Sequence, residues 1–248
     1  MRAKYRALKI FHRSPSDRWQ AAHPLLDSLG SAAPWVFYDE TWAHVVNRWE
    51  FRRALADGKP VTVTDPPRPL PAEVRISPKG LIAVDGAAAP DKWFYLYLDP
   101  QSCSWSNYSW KLRLRRLSDF KELQLAFRYQ DFYNRYRYRF QDGKLCFDMV
   151  VNGQFRADLS VISCPLEIGR SYDVEIRAVG SRFECWVDGR LMSRDYDPEN
   201  RFPAGPIAVI LWEDDGVTPI RAELALQTVT ELIATPPRER SSSSANAS

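Results

Sequence analysis

Arginines recur at alternate positions in several strand-like runs of the sequence. Arginine and aromatic residues alternate from Arg135 to Phe140, and Arg113 and Arg128 stand in similar runs. Successive side chains of a strand point to opposite faces, so these arginines should lie opposite the apolar core positions. A guanidinium group binds vicinal hydroxyls, carboxylates or sulfates through its planar fork of donors. The pattern therefore predicts one arginine-lined sheet surface that suits an acidic glycan, formed by Arg113, Arg128, Arg137 and Arg139.

A simpler interpretation of these arginines remains open. One polar face is normal for an antiparallel sheet, so the arginines could line a solvated outer surface. Acidic residues on neighbouring strands would then balance their charge, the candidates being Asp173, Glu175 and Glu184.

Two tryptophans are candidates for stacking against a sugar ring. Trp186 is out of phase with the apolar positions Phe183, Cys185 and Val187, which predicts that it faces away from the core. Trp212 stands at a strand end, immediately before an acidic cluster. An aromatic face packs well against apolar C–H groups, and tryptophan offers the largest such face. Burial under a covering loop is the alternative for both.

Carboxylates suggest two further kinds of chemistry. If the chain is an enzyme, Glu175, Glu184 and Glu213 are the acids to test. Asp214 and Asp215 could supply hard oxygen ligands for calcium, although an ordinary solvated loop explains them equally well. Beyond that calcium the sequence predicts no cofactor. The cysteines have no Cys-x-x-Cys pair and the histidines no metal-ligand spacing, so a zinc site is not expected.

Composition limits the classes of protein to which the chain can belong. With 45% hydrophobic and 13% aromatic residues, it can bury a core and fold as a globule. The net charge of +3 is too small for whole-chain attraction to nucleic acid. No run approaches the ~20 apolar residues of a membrane span, and Met1 to His12 lacks the apolar region of a signal peptide. These features predict a cytoplasmic protein with free thiols.

Three segments differ in their patterns. The sequence of residues 1–34 predicts a short irregular or helical extension. That of residues 233–248 predicts a disordered Ser-rich tail. Between them, residues 35–232 predict a single all-β domain, because short alternating runs are cut by Gly, Asp, Asn and Pro from Leu81 onward. The segment from Trp35 to Glu40 is the candidate opening strand.

Four short sequence motifs, taken in order, resemble the concanavalin A-like superfamily, near its laminin-G-like and keto-disaccharide-hydrolase-like branches. The motifs are Phe127 to Tyr136, Tyr172 to Ile176, Trp186 to Gly189 and Gly205 to Val209. The resemblance implies a two-sheet antiparallel jelly-roll sandwich. It implies a fold more firmly than a function, because one fold hosts many functions.

The sequence departs from that superfamily in one motif, and this departure argues against one of its activities. Its retaining glucanases carry Glu-x-Asp-x-x-Glu on one strand, which sets two carboxylates about 5 Å apart. No such string occurs in this sequence. The leading functional hypothesis is therefore a non-catalytic carbohydrate-binding domain. The alternatives are a glycoside hydrolase resembling the keto-disaccharide hydrolases and a laminin-G-like module that binds a protein partner.

Overall fold

The computed structural model describes residues 19–27, 35–37, 72–77, 81–98, 105–131 and 133–234. All regular elements within these ranges are β-strands, and no helix capable of crossing a membrane occurs among them. The strands are β1 (Trp19–Asp27), β2 (Trp35–Phe37), β3 (Val74–Ile76), β4 (Leu81–Gly86), β5 (Lys92–Leu98), β6 (Tyr108–Arg116), β7 (Glu122–Asp131), β8 (Asn134–Gln141), β9 (Lys144–Val151), β10 (Gln154–Ser163), β11 (Ser171–Val179), β12 (Arg182–Val187), β13 (Arg190–Tyr196), β14 (Ile207–Glu213) and β15 (Ile220–Ala234).

The strands form two antiparallel sheets. Sheet A has the order β13-β12-β11-β6-β15-β4-β3, with β1 also paired to β15, and sheet B has the order β10-β9-β8-β7-β14-β5-β2. From β4 to β7 the chain changes sheet at every step, and β14 and β15 later insert between strands made earlier. This order confirms the two-sheet jelly roll expected from the concanavalin A-like resemblance.

Alternation of buried and exposed side chains explains why these runs form strands. In β6, Trp110, Leu112 and Leu114 are buried whereas Lys111 and Arg113 are exposed. Such a period of two buries one face of a sheet and leaves the other polar.

Tight turns join consecutive strands. The β8–β9 hairpin turns at Asp142 and Gly143, whose φ angles are 51° and 69°. The β12–β13 hairpin turns at Asp188 and Gly189, at 49° and 73°. Asp-Gly pairs favour these left-handed conformations, which match the twist of the flanking strands. The second turn also forms one end of the groove described below.

The core between the sheets is rich in aromatic rings. Phe127 of sheet B meets Phe183 of sheet A edge to face, with ring centroids 5.1 Å apart. Tyr136 lies 4.5 Å from the same Phe183 ring. These contacts across the sandwich hold the two sheets together, so both outer faces are positioned by one core.

Two expectations about the N-terminal part need revision. Residues 19–27 form β1 rather than a helix or an irregular extension, because they extend sheet A along the long strand β15. Residues 35–37 do form a strand, β2, but it is the second strand and lies at the edge of sheet B. Strand β15 continues to Ala234, two residues beyond the predicted domain end. The predicted tail beyond it lies outside the described residues.

Candidate functional site

The four arginines predicted to share one surface lie in three separate places. Arg113 belongs to β6 of sheet A, whereas Arg137 and Arg139 belong to β8 of sheet B. The prediction of a single arginine face is therefore wrong. It assumed that successive strands pair with one another, but the chain crosses from one sheet to the other between β6 and β7.

Arg113 fits the simpler interpretation of an outer face balanced by acids. Its Nε and Nη2 donate to the two carboxylate oxygens of Asp173, at 2.8 and 3.0 Å. These hydrogen bonds and the guanidinium charge hold the pKa of Asp173 below its usual range. The Arg113 side chain is 55% exposed, so solvent screens this ion pair.

Arg128 is fully buried, contrary to the prediction that it points outward. Its guanidinium donates to the carbonyl oxygens of Ser106, at 2.6 Å, and Phe202, at 3.2 Å, and to Asn200 Oδ1, at 3.0 Å. Its φ of 46° and the register shift between Phe127 and Asp131 mark a bulge, which interrupts the alternation on which the prediction rested. Arg128 thus joins loops at one end of the sandwich.

Arg137 and Arg139 do point away from the core, as predicted, but they are held in a buried ionic network. Their Nε atoms donate to Asp148 Oδ2 at 3.0 and 2.8 Å, and Asp148 has no exposed surface. Arg137 also donates to Gln124 Oε1 at 2.7 Å. Glu122 lies 3.6 Å from Arg137, and burial raises the pKa of this carboxyl. The network holds sheet B together and leaves the guanidinium groups engaged with protein atoms.

Trp212 has neighbours on both sides of its ring. Its ring stacks on that of Trp93 with centroids 4.9 Å apart, and Lys121 Nζ lies 4.5 Å from its centroid. Because β14 lies between β5 and β7, Trp93 and Lys121, which immediately precedes β7, approach from opposite sides. The Trp212 Nε1 donates to Asp91 Oδ1 at 2.9 Å. This geometry disfavours the predicted use of Trp212 as a stacking platform.

Trp186 faces the outside of sheet A, in agreement with its predicted phase. Its neighbours Cys185 and Val187 are buried, whereas Trp186 itself is half-buried. The Arg177 guanidinium lies 4.8 Å from the ring centroid, and the ring Nε1 donates to Glu184 Oε2 at 3.0 Å. These contacts hold the indole in one orientation beside a surface groove.

The groove is a depression of about 220 Å³ on the outer face of sheet A. It is lined by one aromatic ring, charged and amide side chains, and the backbone of a tight turn: Lys111, Asp173, Val174, Glu175, Trp186, Gly189 and Gln227. The pairing of β6 with β11 and of β11 with β12 brings these residues together, since Glu175 lies opposite both Lys111 and Trp186. This groove is the candidate functional site.

The two carboxylates of the groove are engaged by neighbouring donors. Glu175 Oε1 accepts from Ser109 Oγ and from Arg177 Nε, both at 2.6 Å. Burial pushes the pKa of Glu175 upward, but the hydrogen bonds from Arg177 and Ser109 and the nearby positive charges outweigh it, so the pKa is lowered. Lys111 is less engaged: its Nζ lies 3.9 Å from Glu175 Oε2, and its side chain is 48% exposed.

The candidate catalytic acids do not form one site. Glu175 and Glu184 lie on sheet A, whereas Glu213 lies on β14 of sheet B. Glu184 is 4% exposed and accepts from Arg194 Nε at 3.1 Å. Glu213 accepts the backbone N–H of Lys121, at 2.7 Å, and those of the two residues that follow it. It therefore shapes a loop, and the three carboxylates share no substrate position.

The acidic loop after Trp212 is explained by its own hydrogen bonds. Asp215 Oδ1 accepts the backbone N–H groups of Val217 and Thr218, each at 2.8 Å. The hydrogen bonds from Thr218 and from these backbone groups lower the pKa of Asp215. Asp214 forms an ion pair with Lys121 and is not part of these hydrogen bonds around Asp215. Within the described ranges, no three His, Cys, Asp or Glu residues converge as metal ligands would.

Gly189 and Gln227 complete the groove but were not singled out from the sequence, whereas Lys111 stands in the same alternating run as Arg113 and was expected on the same polar face. Gln227 lies on β15 and donates to Asp173 Oδ1 at 3.2 Å. Its position depends on the pairing of the last strand with β6, which the order of residues along the chain does not reveal. An alternating pattern placed Lys111 on a polar face, but only the pairing shows which groups it meets.

No protein-family model matches the sequence, and no curated protein does. The chain is similar in structure to the carbohydrate binding module CBM66 from Bacillus subtilis, with 20% identity, a TM-score of 0.46, and coverage of 61% of this chain and 94% of that one. It is similar to galectin LEC-6 from Caenorhabditis elegans, with 10% identity, a TM-score of 0.40 and coverage of 56% and 93%. For a Bacillus licheniformis beta-glucanase the values are 12%, 0.46, and 66% and 83%. At these identities and TM-scores, no ligand or activity carries over to this chain.

Proposed function

We propose that this protein binds carbohydrate without cleaving it, in the groove beside Trp186. The observation that carries the proposal is a half-buried indole, held by Arg177 and Glu184, that lines a groove together with donors and acceptors. A sugar ring presents both apolar C–H groups and hydroxyls. An aromatic wall and a few fixed polar groups suit that combination.

Trp186 is a better platform than Trp212 because their surroundings differ. Arg177 covers one side of the Trp186 ring, and the ring also borders open space in the groove. Trp212 has the Trp93 ring on one side and the Lys121 ammonium on the other. We therefore expect a sugar in the groove to stack on Trp186 rather than on Trp212.

The polar groups of the groove favour a sugar with an anionic substituent. Asp173 and Glu175 are each paired with an arginine, so their charges are largely compensated. Lys111 has a longer and weaker contact, which leaves its ammonium able to donate to a ligand carboxylate or sulfate. The volume of about 220 Å³ is smaller than the roughly 300–1,000 Å³ of drug-sized pockets, so the groove suits one or two sugar units.

The same contacts argue against Glu175 as the general acid of a hydrolase. A general acid needs a pKa raised toward the working pH, whereas the hydrogen bonds around Glu175 lower its pKa. Glycosidases also use a pair of carboxylates on opposite sides of the scissile bond. Here the other candidates either bind protein donors, as Glu184 does, or lie in the other sheet, as Glu213 does.

Binding to a glycan array followed by titration of retained sugars tests the proposal. Trp186→Ala should weaken binding by at least about tenfold, because stacking and area burial are lost. Tyr196→Ala is the matched control, since this exposed aromatic residue lies on β13 of the same sheet and outside the groove. Lys111→Gln should weaken binding of uronate or sulfated sugars more than that of neutral ones. An array without any retained sugar, or equal effects of both aromatic substitutions, would count against the proposal.

A further inference from the structure

Strand β10 is an unusually exposed edge strand. It ends sheet B and pairs only with β9 within the sheet order described. Its side chains are exposed or half-buried along the whole strand, and Phe155, Leu159 and Val161 are 55%, 49% and 48% exposed. Apolar side chains on an open sheet edge favour pairing with another strand.

The backbone of the second half of β10 is oriented for such pairing. Cys164 donates its N–H to the Gly143 carbonyl at 2.8 Å, which makes these two residues a hydrogen-bonded pair. Hydrogen-bonded and non-hydrogen-bonded pairs alternate along an antiparallel ladder. Counting back in the observed register, Ser163 opposite Lys144 and Val161 opposite Cys146 direct their N–H and C=O groups away from β9. These groups therefore point toward the open edge.

The two halves of β10 differ in how they are protected. The first half carries Arg156 and Asp158, and it bulges at Asp158, where φ is 56°. Charges and bulges are common devices that prevent sheets from joining edge to edge. Residues 159–163, Leu-Ser-Val-Ile-Ser, have no charge and no proline, in a chain with 26% charged residues. This half has no such protection.

We propose that residues 159–163 of β10 pair antiparallel with the same residues of a second copy of this chain. A two-fold axis at Val161 would place Val161 opposite its own equivalent, through the outward N–H and C=O groups. Leu159 would then lie opposite Ser163 of the second copy. No like charges face each other in this register, and the paired apolar side chains bury one another.

The neutral segment is compatible with a second copy of itself, because within residues 159–163 the two-fold register sets no charged side chain opposite another. The bulge at Asp158 interrupts the register, so the pairing is confined to these five residues. The segment of five residues is only about 17 Å long, so the interface is small and the dimer should be weak.

Sedimentation velocity of the full chain over a hundredfold range of concentration tests this inference. The wild type should shift toward dimer as its concentration rises. Val161→Lys should remain monomeric, because it sets two ammonium groups opposite each other at the axis. Val217→Lys is the matched control, since Val217 is 78% exposed in the β14–β15 loop, and it should associate like the wild type. Melting curves show that each variant is folded.

Cross-linking reports on the register itself. Hydrogen-bonded antiparallel residues have Cα atoms about 5.5 Å apart, within the range that a disulfide spans. Val161→Cys should therefore form a covalent dimer under mild oxidation, whereas Val217→Cys and the wild type should not. A wild type that stays monomeric throughout, or association that survives Val161→Lys, would overturn the inference. A wild type that stays monomeric would instead favour pairing of the β10 edge with a strand of another protein.

Discussion

Replacement of Arg128 by methionine tests the placement of the buried arginine. The substitution keeps a long side chain but removes the donors to Ser106, Asn200 and Phe202, and to the Gly180 carbonyl. Four acceptors lose a charge-assisted partner, at roughly 1.5–3 kcal/mol each. Removal of a desolvated charge offsets most of this loss, because burial disfavours the protonated guanidinium and lowers the pKa of Arg128. We expect the free energy of unfolding to fall by about 2–4 kcal/mol.

Urea denaturation with an unchanged m-value measures this loss. Arg113→Met is the control, because its exposed ion pair with Asp173 should contribute less than about 1 kcal/mol. Both arginines stand in alternating runs of the sequence, so only their structural surroundings distinguish them. Equal losses for the two variants would refute the assignment of Arg128 to the interior.

Other substitutions test the remaining contacts. Gly205→Ala should destabilise the fold by about 1–3 kcal/mol in thermal melts, since its Cβ would lie 2.8 Å from the Tyr129 carbonyl at a φ of 142°. Asp148→Asn should cost about 3–5 kcal/mol in urea, because Arg137 and Arg139 would lose their buried partner. The pKa of Asp197 is lowered, because hydrogen bonds from Tyr136 and the nearby backbone outweigh burial. Its contribution is present above the ordinary aspartate pKa and is lost as the pH falls from that value through the lowered pKa of the folded state, so Asp197→Asn should flatten the acid limb of a stability profile. Incubation with oxidised or ordinary disaccharides should yield no cleavage products in a chromatographic assay. The wild type and Glu175→Gln should be alike in this respect.

Regular alternation explains which predictions about orientation are confirmed. Strand β12 is regular up to Trp186. A period of two therefore correctly placed the Trp186 ring on the face of the strand that points away from the buried Cys185. The same rule is wrong for Arg128, because a bulge with a positive φ reverses the local direction of the side chain. Nothing in a single sequence marks that bulge, since arginine is not a residue that favours a left-handed conformation.

Contacts between distant strands explain what the sequence could not predict. Short alternating runs were enough to predict an all-β domain, and the family resemblance predicted its two sheets, but neither showed that β6 and β7 belong to different sheets. The groove requires Lys111, Glu175 and Trp186 on three adjacent strands, with Gln227 arriving from the end of the chain. Register between such remote segments is set by the packed core as a whole.

The indole N–H resonance of Trp186 in a ¹⁵N spectrum, recorded while a uronate-terminated oligosaccharide retained on the array is added, tests the proposed site most directly. Loss of a signal in Trp186→Phe assigns that resonance, and loss of a signal in Trp212→Phe assigns the indole resonance of Trp212 in sheet B. The Trp186 resonance should shift in a saturable manner while that of Trp212 stays unchanged. A saturable shift at Trp212 with none at Trp186 would show that sugar binds elsewhere and would contradict the proposed site.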